Sequence, residues 1–545
     1  MSNYIVNPVL PGFFPDPSIV RVGEWYYIAN SSFEWFPAIP IHRSRDLMTW
    51  QFAGSLQGPD VRFDFSGIQD SGGIWAPSLS WDEGTFWLTF SVVHSFGGNH
   101  KDMDTFVSRA VDVAGPWSRP ARVTTTGFDP SIFHHEGKHW LLNMEWDHRP
   151  GVTSGFAGLT LQELNAEGTD TIGAPRNILR PATLTEGPNV YYRDCWYYLM
   201  VAEGGTGFNH GILMYRSREL NGPYEADPSG ALLTSRDDRS LFLQKSGHGE
   251  IVLTAEGEPY LVHLASRVLE NVEERRAVLG RETCLQQLTW EPDQWPRLAQ
   301  GGHHPAQQIM SPAHGLGILP EGTDADCYEA SSLPGSQKNL AWPWSTLRES
   351  GPSTHEHAEW FSTTARPGWV RLRGRRSTDS LRDQSLIAQR IISPCTSVEV
   401  TVDATPANYT QSAGLIIYYN TSAYFYLRLS ARNTEHPERI LELWERDRLQ
   451  GLRIHALATV RPEGPLGLKV QLADGKLQFQ WWQGRAHPVG MGPALDFSRL
   501  SDDYANQLNF TGPFVGVCAQ DLRDQSFLAD FREFVTSASM RVPFD

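Results

Sequence analysis

The chain has 545 residues, too many for one core, and at roughly 100–200 residues per domain it calls for two to four domains. Apolar residues make up 40% and charged residues 20%, which excludes a disordered chain, and 62 acidic against 46 basic residues with no basic stripe exclude a nucleic-acid binder. The 48 Gly, 36 Pro, 19 Trp, 17 Tyr and 26 Phe favour short strands, many turns and aromatic binding surfaces.

The first residues, Met1-Ser-Asn-Tyr-Ile-Val-Asn-Pro, carry neither a basic n-region nor an apolar h-region, and no apolar run approaches 18 residues. A cytoplasmic location with no membrane partner is therefore expected. Cys195, Cys284, Cys327, Cys395 and Cys518 are scattered and lack CxxC spacing, so neither a disulfide framework nor a thiolate zinc site is expected.

A repeat follows. Pro17-Ser-Ile-Val-Arg-Val-Gly-Glu-Trp-Tyr-Tyr-Ile reads as an apolar strand, a Gly turn and an aromatic strand. The same grammar returns from Pro77, Pro130 and Pro188, and in weaker form from Gly249, where the anchor proline is missing. The anchors at 17, 77, 130, 188 and 249 are spaced by 60, 53, 58 and 61 residues. Each unit holds a further strand pair beside a small-polar turn, as in Ser44–Trp50, Val113–Trp117 and Arg218–Tyr224. Four short strands repeated five times predict a five-bladed β-propeller over residues 1–300. The alternative is a β-sandwich with coincidental Pro-Ser turns. Asp227-Pro-Ser falls off the period, so the periodicity and not the tripeptide carries the inference.

Residues 301–338 are rich in Gly, Pro, Ser and His and read as a linker or wrapping segment. Residues 339–545 carry longer alternating strands, such as Ser397–Asp403, Ala413–Tyr419, Ala423–Leu429 and Leu477–Trp482, and predict a β-sandwich. Its aromatics are either core or a sugar-stacking surface.

In a propeller, equivalent positions of successive repeats meet around the central channel. The residues just before the anchors are Asp16, Ala76, Asp129, Gly187 and His248; one earlier stand Pro15, Trp75, Phe128, Glu186 and Gly247. The repeat thereby gathers Asp16, Asp129 and Glu186 at one mouth. Clustered carboxylates among aromatics raise at least one pKa, which suits acid–base catalysis. A single Asp before Pro is more simply a turn cap; three acids sharing one phase are not.

Several motifs, Phe13-Phe-Pro-Asp16-Pro-Ser, Asn30–Pro37, Gly73-Ile-Trp75-Ala-Pro, Phe128-Asp129-Pro-Ser, Thr185-Glu186-Gly-Pro and Gly280-Arg281-Glu-Thr, resemble glycoside hydrolase family 43. Gln411–Thr421 and Phe510-Thr-Gly-Pro-Phe514-Val-Gly resemble the C-terminal sandwich, a concanavalin-like jelly roll, of its two-domain β-xylosidase branch. The resemblance covers nearly the whole chain. It implies an inverting exo-glycosidase in which Asp16 is the general base, Glu186 the general acid, and Asp129 raises the acid's pKa and orients it. Inversion requires the Asp16 and Glu186 carboxyls about 6.5–9.5 Å apart. Arg281 is expected to bond a sugar hydroxyl, with a structural ion pair as the alternative. Phe33, Trp75 and Ala76 resemble the terminal-sugar subsite, Trp146 a platform for the next unit, and Thr206 the pocket rim. Phe510 or Phe514 is expected to close the pocket.

The implied substrates are short β-1,4-xylo-oligosaccharides or α-L-arabinofuranosides, and the implied assembly is a homodimer or homotetramer. No cofactor is required, although relatives can hold calcium or another divalent ion on the propeller axis. That places a candidate ligand at His248, where a hydrogen-bonded core histidine is the alternative. His134-His135, His303-His304 and His355-Glu-His357 read as solvated turn or linker residues. Ser95–Asp104 departs from the family pattern. A retaining fructosidase-type propeller lacks its Asn-Asp-Pro, Arg-Asp-Pro and Glu-Cys signatures here, and a binding propeller without catalysis should lack one of the three acids.

Overall fold

The two-residue turns between aromatic strands set the architecture of the first half. Glu83-Gly84, Glu136-Gly137 and Asp194-Cys195 all adopt positive φ at both positions, the type I′ geometry whose twist matches a tight hairpin. The computed structural model describes residues 4–98, 100–149, 151–152, 155–269, 275–312, 340, 342–350, 360–433, 435–505 and 507–538. It divides into two compact units, Met1–Arg62, Ser71–Arg267 and Arg281–Leu319 in one, Phe63–Asp70, Val268–Gly280 and Pro320–Asp545 in the other. Residues 313–339, most of the expected linker, lie outside the described residues.

The first unit is a five-bladed propeller of antiparallel sheets. Blade one runs Ser18–Val22, Trp25–Ala29, Pro40–Ser44, Gln51–Ser55, and blade two Gly73–Asp82, Thr85–Ser95, Asp102–Ala110, Ala121–Thr124. Blade three runs Gly127–His135, Lys138–Trp146, Phe156–Leu164, Thr171–Leu179. In blade four, Thr185–Arg193, Trp196–Glu203, Gly211–Ser217 and Glu225–Ala226 are joined by Leu233–Thr234. Blade five runs Leu243–Leu253, Pro259–Arg267, Glu282–Trp290, Pro296–Leu298. Apolar residues fill the spaces between blades, as with Trp87, Ile132 and Leu141 between blades two and three.

Among the described residues no strand is exchanged between blades one and five, and other contacts close the ring. Tyr4–Val6 pairs antiparallel with Gln308–Met310. The Asn7 amide donates to the Leu285 and Ala306 carbonyls and accepts from the Leu285 N–H. Across the seam, the Ser18 hydroxyl (2.5 Å) and the Ile19 N–H (2.8 Å) both donate to Oε2 of Glu250.

The second unit is a sandwich. One sheet runs Gly451–Thr459, Arg439–Asp447, Ala423–Ala431, Gln411–Asn420, Phe514–Asp521, Ser385–Arg390, Ser345–Leu347. The other runs Phe361–Ser362, Val370–Arg373, Leu528–Ala538, Thr396–Ala404, Leu466–Ala473, Lys476–Gln483, Val489–Gly490. Thr396–Ala404 buries every second residue, as its alternation requires. Tyr419, Phe425 and Phe479 belong to the core, so these aromatics are packing residues and not a sugar-stacking face.

Candidate active site

One backbone device, used once per blade, builds the site. Asp16, Ala76, Asp129, Gly187 and His248, the five residues before the anchors, all lie in the left-handed region, with φ of 49°, 32°, 55°, 56° and 40°. In blades two to five the inner ladder slips register beside them. A bulge bends its strand and re-aims neighbouring side chains. Four of the five are not glycine, and non-glycine residues hold this conformation only where the surroundings enforce it. The four anchor prolines, with Ser18, Ser78, Ser131, Asn189 and Glu250 after the anchors, help line a hollow of about 10 Å³, room for roughly one water.

The sequence period therefore brings the three acids together. Asp16, Asp129 and Glu186 are 5%, 7% and 7% exposed. Their environments differ. Arg281 donates to both oxygens of Asp16 (2.6 and 3.5 Å), and Ser31 donates to Oδ2 at 2.7 Å while its own oxygen accepts from the Ala76 N–H. Burial would raise the Asp16 carboxyl, but Arg281, helped by His248, Ser31 and His210, holds it below the usual range. Burial and the charge on Asp16 push Glu186 up to about 7, against Arg281 and Lys101. Burial, Glu186 and Asp16 carry Asp129 well above the usual range. The mouth thus holds one carboxylate whose pKa is held low beside two whose pKa values are pushed up. Arg281, expected to bond a sugar hydroxyl, also pairs with Asp16.

Aromatic rings wall the mouth. Phe33 and Trp75 lie 6.0 Å apart, and Trp75 packs against Phe96 (5.2 Å) and Phe128 (5.5 Å). Phe33 is pinned by reciprocal bonds with Ile74, and Gly73 permits this approach, because a Cβ there would stand 2.4 Å from the Phe33 carbonyl oxygen. Trp146, half-buried, lies 6.1 Å from Phe128. Thr206 is half-buried between strands Trp196–Glu203 and Gly211–Ser217. In the sandwich, Phe510 is half-buried, while Phe514 is fully buried on its strand with Arg390 over its ring.

Two residues escaped the sequence reading. Lys101 places its ammonium 4.5 Å from the Trp146 ring and 5.8 Å from Phe128, and burial lowers its pKa while Glu186 raises it. The only hint was that its segment departs from pattern. His210 is 1% exposed, its Nδ1 is bonded to the Gly205 carbonyl, and burial lowers its pKa to about 3. Its signal was Gly247, where a Cβ would fall 1.3 Å from the His210 ring.

His248 is half-buried on the ring with Nδ1 3.7 Å from Asp129, and desolvation lowers its pKa while Asp16 raises it. Of the other histidines, His134 departs from the expected solvated turn, whereas His303 and His304 are exposed as expected. His134 is not a solvated turn residue but is packed, 13% exposed, with His139 and Asp82, because it lies within an inner strand facing the next blade. His303 and His304 are about 40% exposed and both bond Asp237. His355 and His357 lie outside the described residues.

Comparison with known proteins agrees with this fold. The family model for glycosyl hydrolases family 43 matches residues 5–296, and that for the beta xylosidase C-terminal concanavalin A-like domain matches residues 336–536. Xylosidase/arabinosidase 43B of Humicola insolens is 38% identical over 97% of both chains. Xylan 1,3-beta-xylosidase of a Vibrio species is 36% identical over 98% of this chain and 99% of its own. The crystal structure of xylan beta-1,4-xylosidase from Bacillus halodurans C-125 superposes with a TM-score of 0.91 at 39% identity, covering 98% of this chain and 100% of the other.

Proposed function

The chain belongs to glycosyl hydrolase family 43, and on that premise we propose that it releases xylose from the non-reducing end of short β-1,4-xylo-oligosaccharides with inversion. The carrying observation is the split within one mouth: Asp16 is held ionised while Glu186 is pushed up to about 7. Asp16 is the general base that takes a proton from water. Glu186 is the general acid that protonates the departing glycosidic oxygen. Water attacks the face opposite the leaving group through an oxocarbenium-like transition state, which needs the two carboxyls about 6.5–9.5 Å apart. Asp129 orients the acid and the sugar, while burial and Asp16, rather than Asp129, raise the acid's pKa. Phe33, Trp75 and Ala76 enclose the terminal sugar, Trp146 stacks on the next unit, and Thr206 borders it. Arg281 holds the base ionised and supplies the positive charge that three acids require.

None of these steps needs a cofactor. Were a divalent ion bound here, His248 and Glu250, which line the same hollow, would offer it imidazole and carboxylate donors, and it would supply positive charge among the acids.

The names of the relatives favour a second activity, on α-L-arabinofuranosides, at the same site. They also differ on the xylan linkage, 1,3 in one and 1,4 in another. The test is proton NMR of xylobiose hydrolysis before mutarotation. Early α-xylose supports the assignment, and early β-xylose overturns the roles of the carboxylates. Absence of product, with turnover of an aryl arabinofuranoside, transfers the function to the second activity.

A further inference from the structure

A second group of chemically competent side chains lies at the opposite ends of the inner strands. Asp82 closes the inner strand of blade two; His134 and His139 face each other across the first hairpin of blade three. His134 stands five positions along the strand from Asp129, so about 16 Å of strand lies between this group and the acids. The two Nδ1 atoms are 2.7 Å apart, and each is 3.9 Å from Oδ2 of Asp82. Two imidazole nitrogens at this distance are held together either by one shared proton or by one cation between them, and a carboxylate stands beside both. The other ring nitrogen of His134 lies 2.8 Å from the Ser80 hydroxyl, the outer partner that usually fixes a ligating histidine. Trp87 packs against both rings, with centroids 4.4 Å from His139 and 5.3 Å from His134, and Arg109 covers Trp87.

We propose that Asp82, His134 and His139 form a binding site for a late first-row divalent ion, Zn²⁺ in the first instance, that ties blade two to blade three. A tetrahedral zinc with bonds of about 2.0–2.1 Å sets its ligand atoms roughly 3.3 Å apart, and the observed edges of 2.7 and 3.9 Å bracket that value. Two imidazoles and one carboxylate select zinc or its neighbours over calcium or magnesium, which demand oxygen. The 13% exposure of the histidines and 32% of Asp82 leave one side open for a water as fourth ligand. Because the ligands come from two blades, the ion binds the folded ring and not the unfolded chain, and stabilises it in proportion to its concentration.

The test uses the full chain stripped with chelator and titrated with Zn²⁺ by calorimetry and with Co²⁺ by visible absorption. Wild type takes up an ion at this site, shows the d–d band of a four-coordinate cobalt, and melts at higher temperature with Zn²⁺. His139→Gln and Asp82→Asn each remove one ion from the stoichiometry along with the cobalt band, and Ser80→Ala weakens affinity about tenfold. Asp237→Asn, in the exposed group with His303 and His304, leaves the band intact. Unchanged uptake in the folded His139→Gln and Ser80→Ala variants overturns the proposal, as does no uptake by wild type. Loss of the band in Asp237→Asn alone would place the ion elsewhere and also overturn it.

Discussion

Arg281 decides which acid does what. Its guanidinium donates to both oxygens of Asp16 and holds that carboxyl low, whereas at the other two acids burial outweighs the same positive charge. Replacing Arg281 by Gln should raise the Asp16 pKa. The base must be ionised, so activity that falls as pH drops through that pKa will fall at a higher pH, and kcat/KM at neutrality should drop about 10²-fold. A pH–rate profile checks both. The alkaline limb reports the group that must stay protonated, and it should lie near 7 in wild type, where Glu186 titrates. Glu186→Gln should abolish that limb and lose far more rate on xylobiose than on an activated aryl xyloside, whose leaving group needs little protonation. Asp16, Asp129 and Glu186 were legible because a repeat assigns them one phase. Lys101 and His210 were not, since they enter from connecting segments that the period does not govern.

The inner strands explain why the repeat is imperfect. Gly249 replaces the anchor proline because a Cβ there would stand 2.1 Å from the Val262 carbonyl oxygen on the neighbouring strand. Glu186 sits one residue before the seat used by Asp16 and Asp129, and glycine fills that seat in its blade. The longer side chain thus reaches the mouth from one step back. At Gly73, φ is 85° and the Phe33 backbone is close. Gly73→Ala should cost about 1–3 kcal/mol of stability and raise KM more than it lowers kcat, as the Phe33 wall shifts. Thermal melts and steady-state kinetics separate the two effects. The left-handed backbone at these seats is invisible to strand periodicity, which records side-chain alternation and not the sign of φ.

For the whole molecule, five blades and a sandwich follow from turn spacing and alternation. The assignment of Phe63–Asp70 and Val268–Gly280 to the second unit does not, because it depends on contacts between residues hundreds of positions apart. Ring closure is also a long-range matter. Burial pushes Glu250 up to about 7 against two donors. A carboxyl whose folded pKa exceeds its unfolded value contributes stability that is complete below the unfolded pKa and is lost as pH rises through the folded one. The melting temperature should therefore decline as pH climbs from the ordinary glutamate range through about 7, and Glu250→Gln, which keeps an acceptor without the charge, should flatten that decline.

The pairing of Tyr4–Val6 with Gln308–Met310 makes the propeller a bracelet with a clasp rather than a seamless hoop. A fragment trimmed at the last strand of blade five would still spell out every blade, yet it would discard the partner of the first strand and the Ala306 carbonyl that holds Asn7. Anyone dissecting the chain should cut beyond Met310. The same adjacency offers a shorter route to rearrangement: Tyr4 and Met310 already sit opposite each other, so a brief splice could join them while new ends open at an outward hairpin such as Glu136-Gly137.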